Sequence, residues 1–215
     1  MKKFYKLKFT LLTPFFYWSK ISPGAVFTDE FIGDLALYYA INRIQNIKDV
    51  STSFFGKFNP NYDEIKDFGF WISCARPVDI QRSELYAHKT EFKAEVINHT
   101  PKLDEKAGKS PYKGYFKQQG INPLSTFEAI IYCEKELIPP TIRTGTHLHT
   151  LVQIDIDEMI DYSNPVQINL FSWQQIYKLK TDINNGSIEY KLPIYVIYDT
   201  HLTKEIKDEI IKIFN

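Results

Sequence analysis

The sequence predicts an α+β fold whose N-terminal half follows the order of a split βαβ unit, and three observations lead to this prediction. Residues 5–11 alternate between apolar and polar side chains, which indicates a strand with one buried face. Apolar residues recur at helical spacing over residues 28–48, which predicts a helix. The apolar stretch at residues 68–75 then predicts a second strand.

Local signals set the expected ends of these elements. Thr28 or Asp29 can cap the free amides of the helix, and acidic residues suit the positive end of its dipole. Arg76-Pro77 is expected to end the second strand, because proline cannot continue a central ladder. Residues 77–93 fit either another strand or an extended arm.

The chain after residue 124 is predicted to consist mainly of strands. The stretch LSTFEAIIYCE forms a strand, IPPTIRTG a turn, and residues 147–156 the next strand. A C-terminal hairpin is expected from VQINLFSW and EYKLPIYVIYD, which flank the turn signal Asn184-Asn185-Gly186. An amphipathic helix follows, with its apolar face formed by Leu202, Ile206, Ile210 and Ile213. This order suits a split βαβ or RNA-recognition-type sheet with added elements.

Residues 98–124 interrupt this pattern. The stretch HTPKLDEKAGKSPYKGYFKQQGINP holds three prolines, three glycines and five lysines, without a periodic apolar pattern. Its lysines are interleaved with Tyr112, Tyr115 and Phe116, a combination that suits phosphate contacts and base stacking along an extended nucleic-acid strand. A solvated loop is the alternative, and the composition leaves both open.

The balance of charges limits the classes of function that the sequence suggests. Twenty-six basic residues are matched by 26 acidic ones, so the formal net charge is zero. Most free-standing nucleic-acid binders are clearly basic, because neutralising phosphates drives their affinity. The balance therefore argues against a solitary nucleic-acid-binding protein, and less against a subunit whose neighbours share the nucleic acid.

The cysteines and the apolar segments indicate the compartment. Cys74 and Cys133 lie far apart, without a CxxC or zinc-ligand spacing, so we expect reduced thiols in the cytoplasm. The basic and apolar N-terminus has no small-residue cleavage site, and no apolar run approaches the length of a membrane span. No membrane partner is therefore expected.

Motifs for catalysis or cofactors are weak. No dinucleotide-binding, phosphate-binding-loop, hydrolase or zinc-protease motif occurs, so no cofactor is expected. His147 and His149 could form a zinc pair, but no third ligand is evident nearby, and we expect no metal. The same histidines, with Tyr17 and Arg143, could serve a metal-independent ribonuclease, although these groups suit plain RNA binding equally.

Two short stretches are more informative. FFYWSK at residues 15–20 sets aromatic side chains beside a cation, which suits stacking on a base with a nearby phosphate contact. The alternative is packing of these aromatics under the first helix, and we expect Phe15 to point inward and Tyr17 or Trp18 toward a ligand. TIRTG at residues 141–145 joins Arg143 to a glycine that allows a close backbone approach, or forms a simple turn.

Four stretches, in this order, resemble the Csc-type, Cas-five-like subunit of the type I-D CRISPR Cascade complex. They are LTPFFYWSK after the first strand, FTDEFIGDLALYYAI, ARPVD after the second strand, and STFEAIIY followed by IPPTIRTG. They span about the first three quarters of the chain. Lys20 stands where that family usually has arginine, and Thr146 and His147 stand where it tends to have a basic residue.

The resemblance implies a ferredoxin-like or RRM-type (RAMP) palm formed by residues 1–97 and 125–215, with residues 98–124 as an inserted thumb. It implies a non-catalytic subunit that binds the 5′ handle of the CRISPR RNA and caps the backbone next to the large subunit, supporting target DNA recognition. The implied partners are CRISPR RNA, a Cas-seven-like backbone subunit and a Cas-ten-like large subunit, with target DNA as a further candidate. The alternative is a metal-independent endoribonuclease that processes precursor CRISPR RNA.

The expected RNA-binding residues combine these motifs with the lysine-rich segment. They are Tyr17, Trp18, Ser19, Lys20, Arg76, Lys113, Phe116, Lys117, Arg143, Gly145 and His147.

Overall fold

The computed structural model describes residues 1–17, 20–22, 25–48, 62–89, 115–145, 148–157, 164–180, 186–192 and 194–214. The strands are β1 (Lys3–Leu11), β2 (Lys20–Ser22), β3 (Ala25–Phe27), β4 (Trp71–Ile72), β5 (Arg76–Asp79), β6 (Tyr86–Lys89), β7 (Tyr115–Gln119), β8 (Thr126–Cys133), β9 (Thr141–Thr144), β10 (Thr150–Asp157), β11 (Pro165–Asn169), β12 (Ser187–Leu192) and β13 (Tyr195–His201). The α-helices are α1 (Asp34–Gln45) and α2 (Lys204–Phe214). Short 3-10 helices span Tyr62–Phe68 and Lys135–Leu137, and a π-helical turn spans Phe171–Ile176.

The central sheet is antiparallel, and the fold is mixed α/β. Its strand order is β4-β8-β1-β10-β9, with β5 also paired to β8. The first strand lies in the middle and is antiparallel to both β8 and β10. Since β4 and β1 are each antiparallel to β8, the two strands joined through α1 run parallel to each other and are separated by β8.

The predicted alternation in β1 is confirmed. Tyr5, Leu7, Phe9 and Leu11 are buried on one face, and the intervening Lys6 and Lys8 are not buried. The buried face and the inner face of α1 belong to the same hydrophobic cluster, in which Leu37, Tyr38 and Ile41 are fully buried. Burying a large apolar side chain stabilises a fold by about 1.5–3 kcal/mol, so this face holds α1 against the sheet.

The first helix begins later than predicted. It starts at Asp34 after Gly33, which provides no side-chain cap. The Thr28 hydroxyl instead donates to the Tyr17 carbonyl, and it accepts a hydrogen bond from the Tyr17 amide, both at 3.1 Å. Ile32 pairs with Ala75 through two backbone hydrogen bonds of 2.8 and 3.0 Å. Contacts with distant segments therefore hold residues 28–32 extended and override the capping signal.

The prediction that Arg76-Pro77 ends a strand is wrong. Both residues lie in β5, which pairs antiparallel with β8. Within the described residues β5 has no other neighbour in this sheet, and its register shifts between Pro77 and Asp79. Proline is tolerated at a sheet edge or a bulge, because no ladder hydrogen bond is lost there.

A second sheet has the order β2-β3-β7-β6. Strand β7 pairs in parallel with β3 and antiparallel with β6, so residues 115–119 of the predicted insertion form an interior strand. The rest of that insertion, residues 98–114, lies outside the described residues. Of the two alternatives for residues 77–93, another strand or an extended arm, the described part contains strands, since β5 and β6 occupy parts of this range.

The C-terminal third forms a third sheet, β11-β13-β12, followed by α2. The predicted amphipathic helix is confirmed, with Leu202 and Ile210 fully buried. The predicted strand VQINLFSW is shorter than expected, because its second half winds into the π-helical turn. The hairpin itself is formed by β12 and β13, with Leu192 opposite Tyr195, so its turn lies within EYKLPIYVIYD. Pro193, the residue after Leu192 in the sequence, has no amide hydrogen for a ladder.

The N-terminal and C-terminal parts share one core. The rings of Trp71 and Trp173 meet edge to face at 6.2 Å. The Tyr177 hydroxyl donates to the Tyr38 hydroxyl at 2.8 Å, and that oxygen also accepts from the Ile72 amide at 3.0 Å. In the described part of the chain, no helix combines the length and the apolar character needed to span a membrane.

Candidate nucleic-acid interface

The segment that follows β1 crosses one end of the central sheet and brings two predicted motifs together. Phe15 and Ile121 exchange two backbone hydrogen bonds, of 2.9 and 3.0 Å, on one side of this segment. On the other side, the Thr150 hydroxyl donates to the Pro14 carbonyl at 3.0 Å. Since β9 and β10 meet at Thr150, the TIRTG motif lies beside residues 14–16.

Gly145 permits this close contact. Its φ is +75°, and a Cβ atom there would lie 2.9 Å from the Phe16 carbonyl oxygen and 2.8 Å from the Thr150 hydroxyl oxygen. A side chain would therefore be strained in its backbone and would also collide with fixed groups. The close approach that the sequence suggested for a ligand is thus made to the protein's own backbone.

Tyr17 is used inside the protein. Phe15 points inward as predicted, with 2% of its surface exposed. The Tyr17 ring packs 5.0 Å from Phe15 and meets Phe31 edge to face at 5.8 Å. Its hydroxyl donates to the Asp29 carbonyl at 3.2 Å. The Tyr17 side chain is therefore used in packing within the protein. Trp18, the other aromatic residue that was expected to face a ligand, lies outside the described residues.

Arg76 lies in an ion-pair network on the central sheet. Its guanidinium contacts the Glu128 carboxylate at 3.3 Å, and Lys6 contacts the same carboxylate at 2.8 Å. Two cations thus share one carboxylate. The Nε atom of Arg76 is buried and makes no hydrogen bond to a described residue.

The remaining predicted cations are spread over two sheets. Lys117 is exposed on β7, and the backbones of Lys20 and Phe116 lie in β2 and β7 of the same sheet. Arg143 is exposed on β9, at the edge of the central sheet. The other predicted residues lie outside the described part of the chain: Trp18, Ser19, Lys113 and His147.

Two exposed residues outside the expected RNA-binding set lie beside Arg143. Arg43 of α1 and His149, which precedes β10, line the same cleft as Arg143. The sequence named His149 for a zinc pair or a ribonuclease, whereas Arg43 gave no signal, because a basic residue near a helix C-terminus is common. Only the packing of α1 against β9 makes these three residues neighbours.

Both cysteines are buried, and their thiols are unreactive. Burial raises the pKa of the Cys74 thiol well above its ordinary value, with the Asp34 carboxylate adding to the effect. Burial likewise raises the pKa of Cys133 to about 12, so both thiols stay protonated and unreactive. Among the described residues, no group of three His, Cys, Asp or Glu side chains could hold a metal ion.

The chain matches one protein family and is distantly similar to two solved structures. The family model for the type I-D CRISPR-associated protein Cas5/Csc1 matches residues 2–205. One similar chain belongs to a cryo-EM structure of the type III-B Cmr-beta complex bound to cognate target RNA and AMPPnP, with 10% identity, coverage of 96% of this chain and 88% of that chain, and a TM-score of 0.39. A crystal structure of a CRISPR protein from Archaeoglobus fulgidus has 13% identity, the same two coverages and a TM-score of 0.40. No curated protein sequence matches the chain.

Proposed function

Because the chain belongs to the type I-D CRISPR-associated Cas5/Csc1 family, we propose that it is a non-catalytic effector subunit that binds the 5′ handle of the CRISPR RNA. In this role it caps the backbone of the complex, between a Cas-seven-like backbone subunit and the Cas-ten-like large subunit. From that position it supports recognition of target DNA.

We infer a ferredoxin-like palm from the strand order. The first strand, α1 and β4 follow one another in the chain, β8 lies between the two strands, and β10 lies on the other side of β1. This is the order of a split βαβ unit with its return strand. One departure stands out: the connection from β8 to β10 contains a short 3-10 helix and β9 where that fold has a second α-helix.

One observation carries the proposed RNA contact. Residues 14–16, just after the first strand, and the TIRTG motif, more than a hundred residues apart, lie against each other at one end of the central sheet. The exposed Arg143 lies two residues before Gly145, and the sheet that bears Lys20 and Lys117 continues from the same segment. Two hydrogen bonds of 3.1 Å between the Thr28 hydroxyl and the Tyr17 backbone tie this second sheet to the segment, since Thr28 directly follows β3. Cations from distant parts of the chain thus lie on connected elements.

Local charge rather than net charge would supply the affinity. Single-stranded RNA is bound through phosphate contacts and through stacking on aromatic or arginine side chains. With a net charge of zero, the chain gains no attraction from its overall field. An isolated subunit should therefore bind RNA weakly, and neighbouring subunits would share the phosphate contacts in the complex.

The test compares complexes of the double variant, Lys20→Ala with Arg143→Ala, with wild-type complexes. Each charge-assisted contact is worth about 1.5–3 kcal/mol, so the double variant should lose CRISPR RNA during purification. Lys212→Ala, at an exposed position on α2, is the control and should retain the RNA. Unchanged retention in the double variant would contradict the assignment of these residues.

Incubation of the purified chain with labelled precursor CRISPR RNA tests the function class. Binding without cleavage is the expected result. Specific cleavage would instead indicate the endoribonuclease alternative. Neither binding nor cleavage, in the free chain and in the complex, would indicate a subunit that contacts only proteins.

A further inference from the structure

The chain uses arginine sparingly, and its four arginines fall into two pairs. They are Arg43, Arg76, Arg82 and Arg143, among 26 basic residues. Arg76 contacts Glu128 at 3.3 Å, and Arg82 contacts Glu30 at 2.8 Å. The other two are exposed, and neither forms an ion pair with any described residue. These two unpaired arginines line one cleft.

The cleft lies between α1 and the turn that joins β9 to β10. Its volume is about 370 Å³, and its lining residues are Ala40, Arg43, Ile44, Arg143, Leu148 and His149. The three residues of α1 are spaced at i, i+3 and i+4, so they share one face of the helix. The turn on the other side is held by a hydrogen bond of 3.1 Å from the Leu148 amide to the Gly145 carbonyl. The His149 carbonyl accepts from the Thr13 hydroxyl at 3.2 Å.

The lining combines positive charge with an apolar wall. Arg43 and Arg143 each present a planar fork of donors, the geometry that fits phosphate oxygens. Ile44 is 52% exposed beside them, although large aliphatic side chains are usually buried. None of the described residues that line the cleft is acidic. Its volume falls at the lower end of the range of small-ligand sites, which suits one nucleotide rather than a duplex.

We propose that this cleft seats one nucleotide of single-stranded RNA. The phosphate contacts Arg43 and Arg143, and the sugar or base packs against Ile44, Leu148 and the His149 ring. The inference rests on the proposed function and extends the RNA contact onto α1. A nucleotide fits better than an acidic peptide, because a carboxylate would use the two forks but leave the apolar wall uncovered. Histidine rings and guanidinium planes both stack on bases.

The test measures binding of a 5′-labelled single-stranded CRISPR RNA by fluorescence anisotropy over a series of salt concentrations. Full-length chain and assembled complex are both used. Arg43→Ala should weaken binding by about tenfold, and it should reduce the slope of log K against log salt by about 0.7, the value for one lost phosphate contact. Ile44→Ser should weaken binding without changing the slope, because it removes apolar contact and no charge.

Two variants act as controls. Arg43→Lys keeps the charge without the planar fork, so it should restore the salt slope and only part of the affinity. Lys212→Ala, at an exposed position on α2, should match wild type. Circular dichroism checks that each variant keeps the wild-type fold. This is expected because the side chains of Arg43 and Ile44 are both exposed.

The outcomes separate this inference from the proposed function. If the wild type bound no RNA, either as the free chain or in the assembled complex, the proposed function would be contradicted and so would the nucleotide site. If the double variant with Lys20→Ala and Arg143→Ala lost RNA binding while Arg43→Ala and Ile44→Ser bound as wild type, only the proposed nucleotide site in the cleft would be contradicted. Unchanged RNA affinity with loss of a neighbouring subunit from Arg43→Ala complexes would mean that the cleft binds an acidic protein segment, which also overturns it.

Discussion

Asp34 is a buried carboxylic acid where α1 meets the C-terminal third of the chain. Asn169 donates a side-chain hydrogen bond of 2.9 Å to its Oδ1 atom, and Ser172 forms a further side-chain hydrogen bond. These bonds favour the charged form, but burial outweighs them and raises the pKa of Asp34 from 3.8 to about 6. Folding and proton binding at this residue are therefore coupled.

The sign of the resulting pH dependence follows from this pKa. Between pH 3.8 and about 6 the folded state holds a proton on Asp34 that the unfolded chain releases. The free energy of unfolding should therefore fall as the pH rises through this window, by about 3 kcal/mol from this group alone. Asp34→Asn keeps an acceptor for Asn169 and removes the titration. Urea unfolding at several pH values should show a correspondingly smaller decline in this variant.

The control for this experiment is Asp208→Asn, an exposed position on α2. Its free energy of unfolding should decline with rising pH as that of the wild type does. An equal decline in the wild type and in Asp34→Asn would show that the Asp34 carboxyl does not cause the pH dependence.

Gly145 permits a second prediction at the residue scale, because Gly69 provides a matched control. Both have a positive φ, of 75° and 73°, but no atom lies within 4 Å of a Cβ placed on Gly69. Alanine should cost about 1–2 kcal/mol of backbone strain at either position. Gly145→Ala should cost about 1–3 kcal/mol more, because its Cβ collides with Phe16 and Thr150. Equal losses in chemical denaturation would contradict the close packing of the two motifs.

At the scale of elements, pairing with distant segments decides where strands form. Local composition predicted an irregular insertion over residues 98–124, yet β7 lies between β3 and β6. The residues that follow it are also held: the Gly120 amide donates to the Ser83 hydroxyl at 2.9 Å, and the Asn122 amide donates to the Gln81 carbonyl at 2.7 Å. None of these partners is close in sequence.

Hydrogen exchange can test this boundary. Amides of residues 117–122 should exchange slowly in the free chain. They are hydrogen-bonded within the second sheet, to Phe15, or to the residues just before β6. Residues 20–22 in β2, which pair only with β3 among the described strands of this sheet, should exchange faster. For residues 98–114 the sequence predicts fast exchange in the free chain and protection on assembly with RNA. Fast exchange throughout residues 98–122 would contradict the assignment of β7 to the fold.

At the scale of the whole molecule, the C-terminal third is part of the main core. Among the described residues 164–214, eleven apolar or aromatic side chains are buried. Each large buried side chain contributes about 1.5–3 kcal/mol, and a whole domain is stable by only about 5–15 kcal/mol. The N-terminal sheet should therefore not remain folded when this third is removed.

Unfolding experiments test this unity. In the full-length chain, far-UV circular dichroism and tryptophan fluorescence should report one coincident transition, because Trp71 and Trp173 lie in contact across the two parts. A chain truncated after residue 163 should show no cooperative transition. Two separated transitions in the full-length chain, or cooperative unfolding of the truncated one, would indicate independent domains.

Much of the architecture could be predicted from local pattern. The alternation in β1 identified its buried face, and the apolar run at residues 126–133 identified β8, since each strand was long and strongly patterned. The start of α1 was misplaced because Thr28 is a good cap in isolation but bonds to Tyr17 in the fold. The split of EYKLPIYVIYD into β12 and β13 was missed, although Pro193 was a visible signal.

The candidate site was only partly predictable. Arg143 and Gly145 were singled out because a cation beside a glycine is a local signal. Arg43 was not, since one exposed arginine on a helix has no distinctive sequence context. Tyr17 or Trp18 was predicted to face a ligand, and the structure packs Tyr17 against Phe15 and Phe31.

The sequence by itself determined the α+β class, the burial of β1, the amphipathic C-terminal helix and the resemblance to the family, because these depend on residue order and periodicity. Only the tertiary structure decided that Arg43 and Arg143 line one cleft, that Gly145 lies against Phe16, and that β7 joins a sheet. Each of these depends on residues that are distant in the chain. Such contacts form when the whole core packs, and local pattern carries no information about which distant partner will be met.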